Sequence, residues 1–242
     1  MIVRRFVTAL RQQDWGLAVL DFLIVVAGIF VGLQADDWNQ KRLEKKSEEA
    51  VIALIAADMQ SEIDFLDNYS HQYEEAREGT EEIAIQLLSL PDVDLDRFAA
   101  SIDKSTQGWY WFEFDAAYRN LQQSGNISII GNRKLAAAIV NYYEGHGAYF
   151  SMLAEDAMEA GRGYEKALRS VLLMYPRDEP DALSYSKPRI EDLEILASDK
   201  PFWASTSYAL GRYRTSVRVA GERQQLARDI IDQMKDHLRR AR

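Results

Sequence analysis

Residues 16–35 read GLAVLDFLIVVAGIFVGLQA, a run of 20 with one charge, Asp21, and one amide, Gln34. As a helix such a run reaches about 30 Å, the depth of a bilayer's hydrocarbon core. Trp15 and Trp38 bracket it, where interfacial aromatic anchors are expected. Two other readings compete. A cleaved signal peptide shares the basic start (Arg4, Arg5, Arg11) and the apolar middle. The stretch is long for one, however, and a cut after Ala35 would put Leu33 where a small residue is wanted. The third reading is a buried helix of a soluble domain. The working expectation is a single-pass transmembrane helix over residues 15–38, after a short tail of residues 1–14.

The expected anchor has a marked face. Gly28 and Gly32 form a G-x-x-x-G pair, a spacing that lets two helix backbones approach closely in lipid. At about 100° per residue, Asp21, Gly28, Gly32 and Ala35 point in nearly the same direction. An acid inside the membrane costs roughly 2.5–3.5 kcal/mol unless it is paired, protonated or near the interface. A packing face offers Asp21 a partner on a second copy or on another protein's helix. Chance alone also produces isolated G-x-x-x-G matches, and Asp21 is close enough to Trp15 to reach headgroups.

Average composition conceals both this run and the charge distribution. The chain has 242 residues, a net charge of −9, no cysteine and three histidines. The absence of cysteine excludes disulfides, thiol catalysis and Cys-ligated metal. The acidic balance argues against a nucleic-acid binder. Residues 36–100 carry 17 acidic and 6 basic side chains, whereas residues 201–242 carry 4 and 9. The acidic early helix and the basic last helix are therefore expected to pack antiparallel. Arg239, Arg240 and Arg242 would then either return toward anionic headgroups or form an ordinary solvated helix end.

Beyond the anchor the pattern is helical. Residues 39–89 contain no proline and read as a long amphipathic stalk. Ile52, Ile55, Met59, Leu66, Tyr69, Tyr73, Ala76, Ile83 and Leu87 recur in a heptad that Glu62 and Thr80 interrupt. That interruption favours one helix of a bundle over a coiled coil. Residues 90–242 read as a helical domain packing on the stalk. Leu90-Pro91-Asp92 breaks the first helix, and short helices are expected over 95–102 and 113–123. Gly125 is suited to a left-handed C-cap. Asn132 caps a helix from 133 to 175, with candidate breaks at 145–147 and at 161–163. A proline-containing loop runs from 176 to 188, and a helix follows at 190–197. The last helix, over 202–237, carries Leu210, Tyr213, Val217, Ala220, Gln224, Ala227, Ile230, Met234 and Leu238 at three-to-four spacing. No segment alternates with period two.

Two stretches resemble one family. LDFLIVVAGIFVGLQADDWNQKR (20–42) carries an acidic residue opening a V-x-x-G-I run that ends in LQ and W-N. FDAAYRNLQQSGNISIIGNRKLAAAIVNYYE (114–144) carries Tyr118, Leu121, Ser124 and Gly125, then aliphatics, then the paired Tyr142 and Tyr143. Together they resemble a bacterial family of uncharacterised single-pass membrane proteins. The resemblance implies a membrane-tethered helical protein and implies no reaction.

Catalytic signals are absent. No Walker loop, dinucleotide fingerprint, nucleophile elbow or HExxH occurs. Glu144 and His146 with Tyr142 and Tyr143 have spacing unsuited to a metal site, and a surface turn explains them better. The aromatic patch Trp109, Tyr110, Trp111, Phe112 and Phe114 is either core packing, interfacial membrane contact, or, with Tyr142 and Tyr143, a recognition surface.

The expected fold is mainly α, with a transmembrane helix, a stalk and a helical bundle. The expected function is a membrane-anchored scaffold or interaction protein, a self-associating or accessory subunit of a membrane complex. The alternative is a membrane-tethered sensory or ligand-binding module using the aromatic site. The expected partners are the lipid bilayer and a second copy or another membrane protein, with no cofactor, metal or nucleic acid. The expected place is the bacterial inner membrane. Arg4, Arg5 and Arg11 favour export of the helical domain, and Lys41–Lys46 pull the other way.

Overall fold

The computed structural model describes residues 15–106, 110–172 and 188–240, with helical backbone alone for 15–21. Contacts divide the chain into two units, residues 1–50 and 51–242. Helix α1 (Trp15–Leu88) contributes residues to both. After it come α2 (Leu95–Ser105), α3 (Ala116–Gln123), a 3-10 turn (Ile127–Ile129) and α4 (Arg133–Val140). A π-helix (Asn141–Gly147), α5 (Ala148–Val171), α6 (Ile190–Ser198) and α7 (Lys200–Arg240) complete the order. Among the described residues there is no strand.

In the first unit every side chain from Phe22 to Glu44 is exposed. Among the described residues this is the one helix long and apolar enough to cross a membrane, by length and composition. A Cβ added at Gly28 or Gly32 would meet nothing within 4 Å. The polar residues that follow pair along the helix, with Lys41 Nζ 2.7 Å from Asp37 Oδ2.

In the second unit the α1 seam steps by three and four residues without a gap. The nine apolar residues from Ile52 to Leu87 named above are buried, and so are Glu62 and Thr80. Helix α7 presents a matching seam: Phe202, Thr206, Ala209, Tyr213, Ser216, Ala220, Arg223, Ala227, Ile230 and Met234. The two segments are antiparallel. Glu81 meets Arg214 at 2.7 Å, Tyr73 meets Tyr213, and Glu62 meets Arg223. Pairing of the acidic and basic segments is thus present, although its central member lies in the core. Large side chains such as Leu66, Phe98 and Phe202 fill the interior, each supplying about 1.5–3 kcal/mol of burial.

Local signals place the shorter elements. Asp94 Oδ1 accepts from the N–H groups of Asp96 and Arg97 and caps α2. Asn132 Oδ1 does the same for Lys134 and Leu135 at the start of α4. Gly125 adopts φ 69°, closing α3 in the left-handed conformation that costs glycine nothing.

Three expected boundaries are corrected. Helix α3 begins at Ala116 rather than at 113, because residues 110–115 stay non-helical and lie across Phe65. The expected break at 145–147 is a π-helix joining α4 to α5. The expected break at 161–163 is absent. Gly161 is buried one turn from Ala157, while Gly163 faces solvent, where glycine costs about 1 kcal/mol. The loop at 176–188 lies almost wholly outside the described residues.

Candidate functional site

Glu62 on α1 and Arg223 on α7 meet in the interior of the second unit. Arg223 Nε donates to Glu62 Oε1, and Tyr142 Oη donates to Glu62 Oε2 at 2.7 Å. The Arg223 guanidinium lies 4.3 Å from the Tyr142 ring centroid and 5.5 Å from that of Phe150. Its Nη1 reaches the Tyr142 carbonyl at 3.4 Å. A fully buried carboxylate persists only when it is paired and hydrogen-bonded, and here both oxygens are used. Burial, and then the Glu62 charge, push the Tyr142 phenol well above its ordinary range. It therefore remains a donor.

The π-helix has a packing cause. Between Tyr142 and Phe150, both buried, the chain advances eight residues where the seam elsewhere advances seven. The wider π turn absorbs the extra residue and returns Phe150 to the buried face. It also brings Tyr143 and Glu144 beside the residues that follow α2.

A cleft of about 410 Å³ opens there. Phe65 of α1 organises one wall. The ring centroids of Phe114, Trp111, Phe112 and Tyr110 lie 5.3, 5.7, 6.0 and 6.3 Å from its own. Trp111 also packs 4.5 Å from Phe150, and its Nε1 donates to Ser151 Oγ at 3.3 Å. On the other wall Tyr143 stacks on Tyr118, with centroids 4.6 Å apart and planes 13° from parallel. Glu144 Oε1 accepts from Tyr118 Oη at 2.6 Å and from Gln122 Nε2 at 2.9 Å. Glu113 and Asp115 both bind Arg119, and Arg223 also lines the space. Asp58 accepts the Ala117 N–H at 2.7 Å and fixes the start of α3. The Tyr143 hydroxyl is buried without a hydrogen-bond partner among the described residues.

The expected recognition residues divide in the structure. Tyr110 and Phe112 are 50% and 57% exposed and form an outer lip. Trp111, Phe114 and Tyr143 are half-buried and line the cleft. Tyr142 is corrected: it is fully buried, because its hydroxyl belongs to the Glu62–Arg223 pair and its ring to the core. Trp109 lies outside the described residues. Asp21, Gly28, Gly32 and Ala35 are on α1, as are Trp15 and Trp38. The side chains of Trp15 and Asp21 are outside the description, and Trp38 is exposed.

Glu144 and His146 do not converge. Glu144 lines the cleft, whereas His146 lines a separate hollow of about 620 Å³ that Arg223 also borders. Among the described residues no group of three candidate ligands could hold a metal ion. Sequence reasoning missed Arg223, Gln122, Ser151, Glu113 and Asp115 as parts of the site. For Arg223 a signal existed, since it falls three residues after Ala220 and four before Ala227 on the α7 seam.

Compared with known proteins, residues 21–172 match the model described as a family of unknown function, DUF6090. The chain belongs to this family. The DUF6090 match takes in most of α1, the cleft-forming segment, the π-helix and α5, and it ends before α6 and α7. Arg223 is therefore contributed from beyond the DUF6090 region. No curated protein and no solved structure matches the chain.

Proposed function

We propose that the protein is a single-pass inner-membrane protein whose helical domain is a ligand-binding, sensory module, with the aromatic cleft as its site. The cleft is the observation that carries this reading. Its volume is in the range of small-molecule sites, and aromatic walls converge there with a few placed polar groups. A π-helix, a feature frequent at functional sites, forms one side. The apolar exposed run from Phe22 supports the membrane part. Arg4, Arg5 and Arg11 support a periplasmic helical domain.

The test is equilibrium dialysis of the full chain in mild detergent against three phenethyl probes, cationic, neutral and anionic. At least one should bind saturably, and Ala148→Trp, which places an indole in the cleft from an exposed position, should abolish it. Failure of all three to bind removes the reading.

A second reading is a self-associating scaffold, favoured by the small face at Gly28 and Gly32, which nothing among the described residues covers. Gly28→Ile with Gly32→Ile should then eliminate cross-linked oligomers in native membranes. An unchanged cross-linking pattern would dismiss it.

A further inference from the structure

We propose that the cleft selects an organic cation: a primary ammonium attached to an apolar group of about phenethyl size. This rests on the binding-module reading above and specifies its ligand.

The first argument is charge. Three carboxylates, Glu113, Asp115 and Glu144, line the cleft against one guanidinium, Arg223. Arg223 is already paired with Glu62 in the core. Arg119 is shared by two acids, Glu113 and Asp115. Glu144 receives both of its hydrogen bonds on Oε1, which leaves Oε2 without one among the described residues. An entering ammonium meets a free carboxylate oxygen, whereas an entering anion meets three carboxylates and, among the described residues, no uncommitted cation lining the cleft.

The second argument is the walls. Trp111, Phe114 and Tyr143 line the same space. Aromatic rings attract a cation within about 6 Å through their quadrupole, more strongly where water is thinned. The protein already uses this attraction next door, where the Arg223 guanidinium lies 4.3 Å from the Tyr142 ring centroid. A cation held by rings and a carboxylate can still carry an apolar body into the 410 Å³ volume.

A third observation agrees. Burial first, then the negative charges of Glu62 and Asp58, raise the Tyr143 phenol far above its ordinary range. Arg223 opposes them without reversing the shift. At this hydroxyl the nearby acids thus act more strongly than the guanidinium does.

The experiment dialyses the full chain in mild detergent against phenethylammonium, phenethyl alcohol and hydrocinnamate, which share an apolar group and differ in charge. Phenethylammonium should bind about ten-fold tighter than the alcohol, a margin typical of one cation–π contact with a charge-assisted hydrogen bond. Hydrocinnamate should bind weakest. Glu144→Gln, an isosteric change at an exposed site, should bring phenethylammonium down to the affinity of the alcohol measured on the same variant. If the alcohol or hydrocinnamate matches phenethylammonium, the cation assignment is overturned while the binding module stands. If no probe binds above the Ala148→Trp background, both fall. A cation preference that persists in Glu144→Gln and Ala148→Trp places the site elsewhere and overturns the assignment.

Discussion

Arg223→Met should cost the protein about 3–5 kcal/mol of folding stability, the usual penalty for removing one partner from a buried ion pair. The loss comes less from the pair's own attraction than from what remains. Glu62 is fully buried, and without Arg223 its charge would keep only the Tyr142 hydroxyl as a partner. Glu62→Leu should be at least as harmful, since it strands Arg223 in the interior and takes the acceptor from Tyr142 Oη, a further cost of about 1–3 kcal/mol for an orphaned buried donor. The triple replacement Glu62→Leu, Arg223→Met, Tyr142→Phe removes every buried polar group of the cluster together. It should recover most of the loss, because a buried pair exchanged for apolar residues of similar volume is often neutral or stabilising. Denaturant midpoints of the full chain, compared at constant slope, give the three values. A cost for Arg223→Met below about 1 kcal/mol would mean that the pair is solvated.

What then keeps such a pair? Its place as a charged contact between two otherwise uncharged seams suggests register. Sliding α7 by one heptad along α1 would bring Ser216 or Ile230 opposite Glu62 and leave both charges unpaired. A single buried polar contact of this kind is the best-attested device for fixing helix alignment. The Glu62–Arg223 contact therefore connects stability with the site, because it also holds Tyr142 while Tyr143 and Glu144 line the cleft.

The same pair marks where reading the sequence succeeds and where it stops. In α1 the seam is legible from apolar letters alone, and every residue named on it is buried. Glu62 and Thr80 look like flaws only because their environment is invisible from one helix. The partner of Glu62 is 161 residues away. In α7 the apolar letters mislead slightly. Leu210, Val217 and Leu238 are half-buried flanks, while Thr206, Ser216 and Arg223 occupy the seam itself. Small and polar residues sit there because α1 and α5 already supply the bulk, from Tyr73 and Phe150 among others.

The cleft was half legible. Its aromatic density stands out in residues 109–114, and the paired tyrosines stand out as a unit. Their opposite fates, Tyr142 inward and Tyr143 onto the cleft, depend on a π turn whose trace in the sequence is one eight-residue step, from Tyr142 to Phe150, in a seam that otherwise advances seven. Adjacent residues always diverge on a helix, so a pair of tyrosines predicts two environments and cannot say which is which.

Gly79→Ala should lower stability by about 2 kcal/mol, whereas Gly163→Ala, the same chemical change, should raise it by about 0.5–1 kcal/mol. Both glycines lie inside helices, α1 and α5. An alanine there gains the entropy that glycine loses on folding, so propensity alone predicts two stabilised variants. The surroundings separate them. A Cβ at Gly79 would stand 2.7 Å from Ser101 O, 2.8 Å from Lys104 Cβ and 2.8 Å from Ser105 N. Two of these are backbone atoms of α2, so the clash cannot be relieved by turning a side chain. Helix α2 would have to move off α1, taking the fully buried Phe98 and Ile102 with it and loosening the Arg97–Glu82 ion pair. At Gly163 an added Cβ meets nothing within 4 Å. Thermal or denaturant midpoints of the two variants, measured side by side on the full chain, should therefore shift in opposite directions. Shifts of the same sign would mean that α2 does not approach α1 through Gly79, and the packing of α2 described above would have to be abandoned.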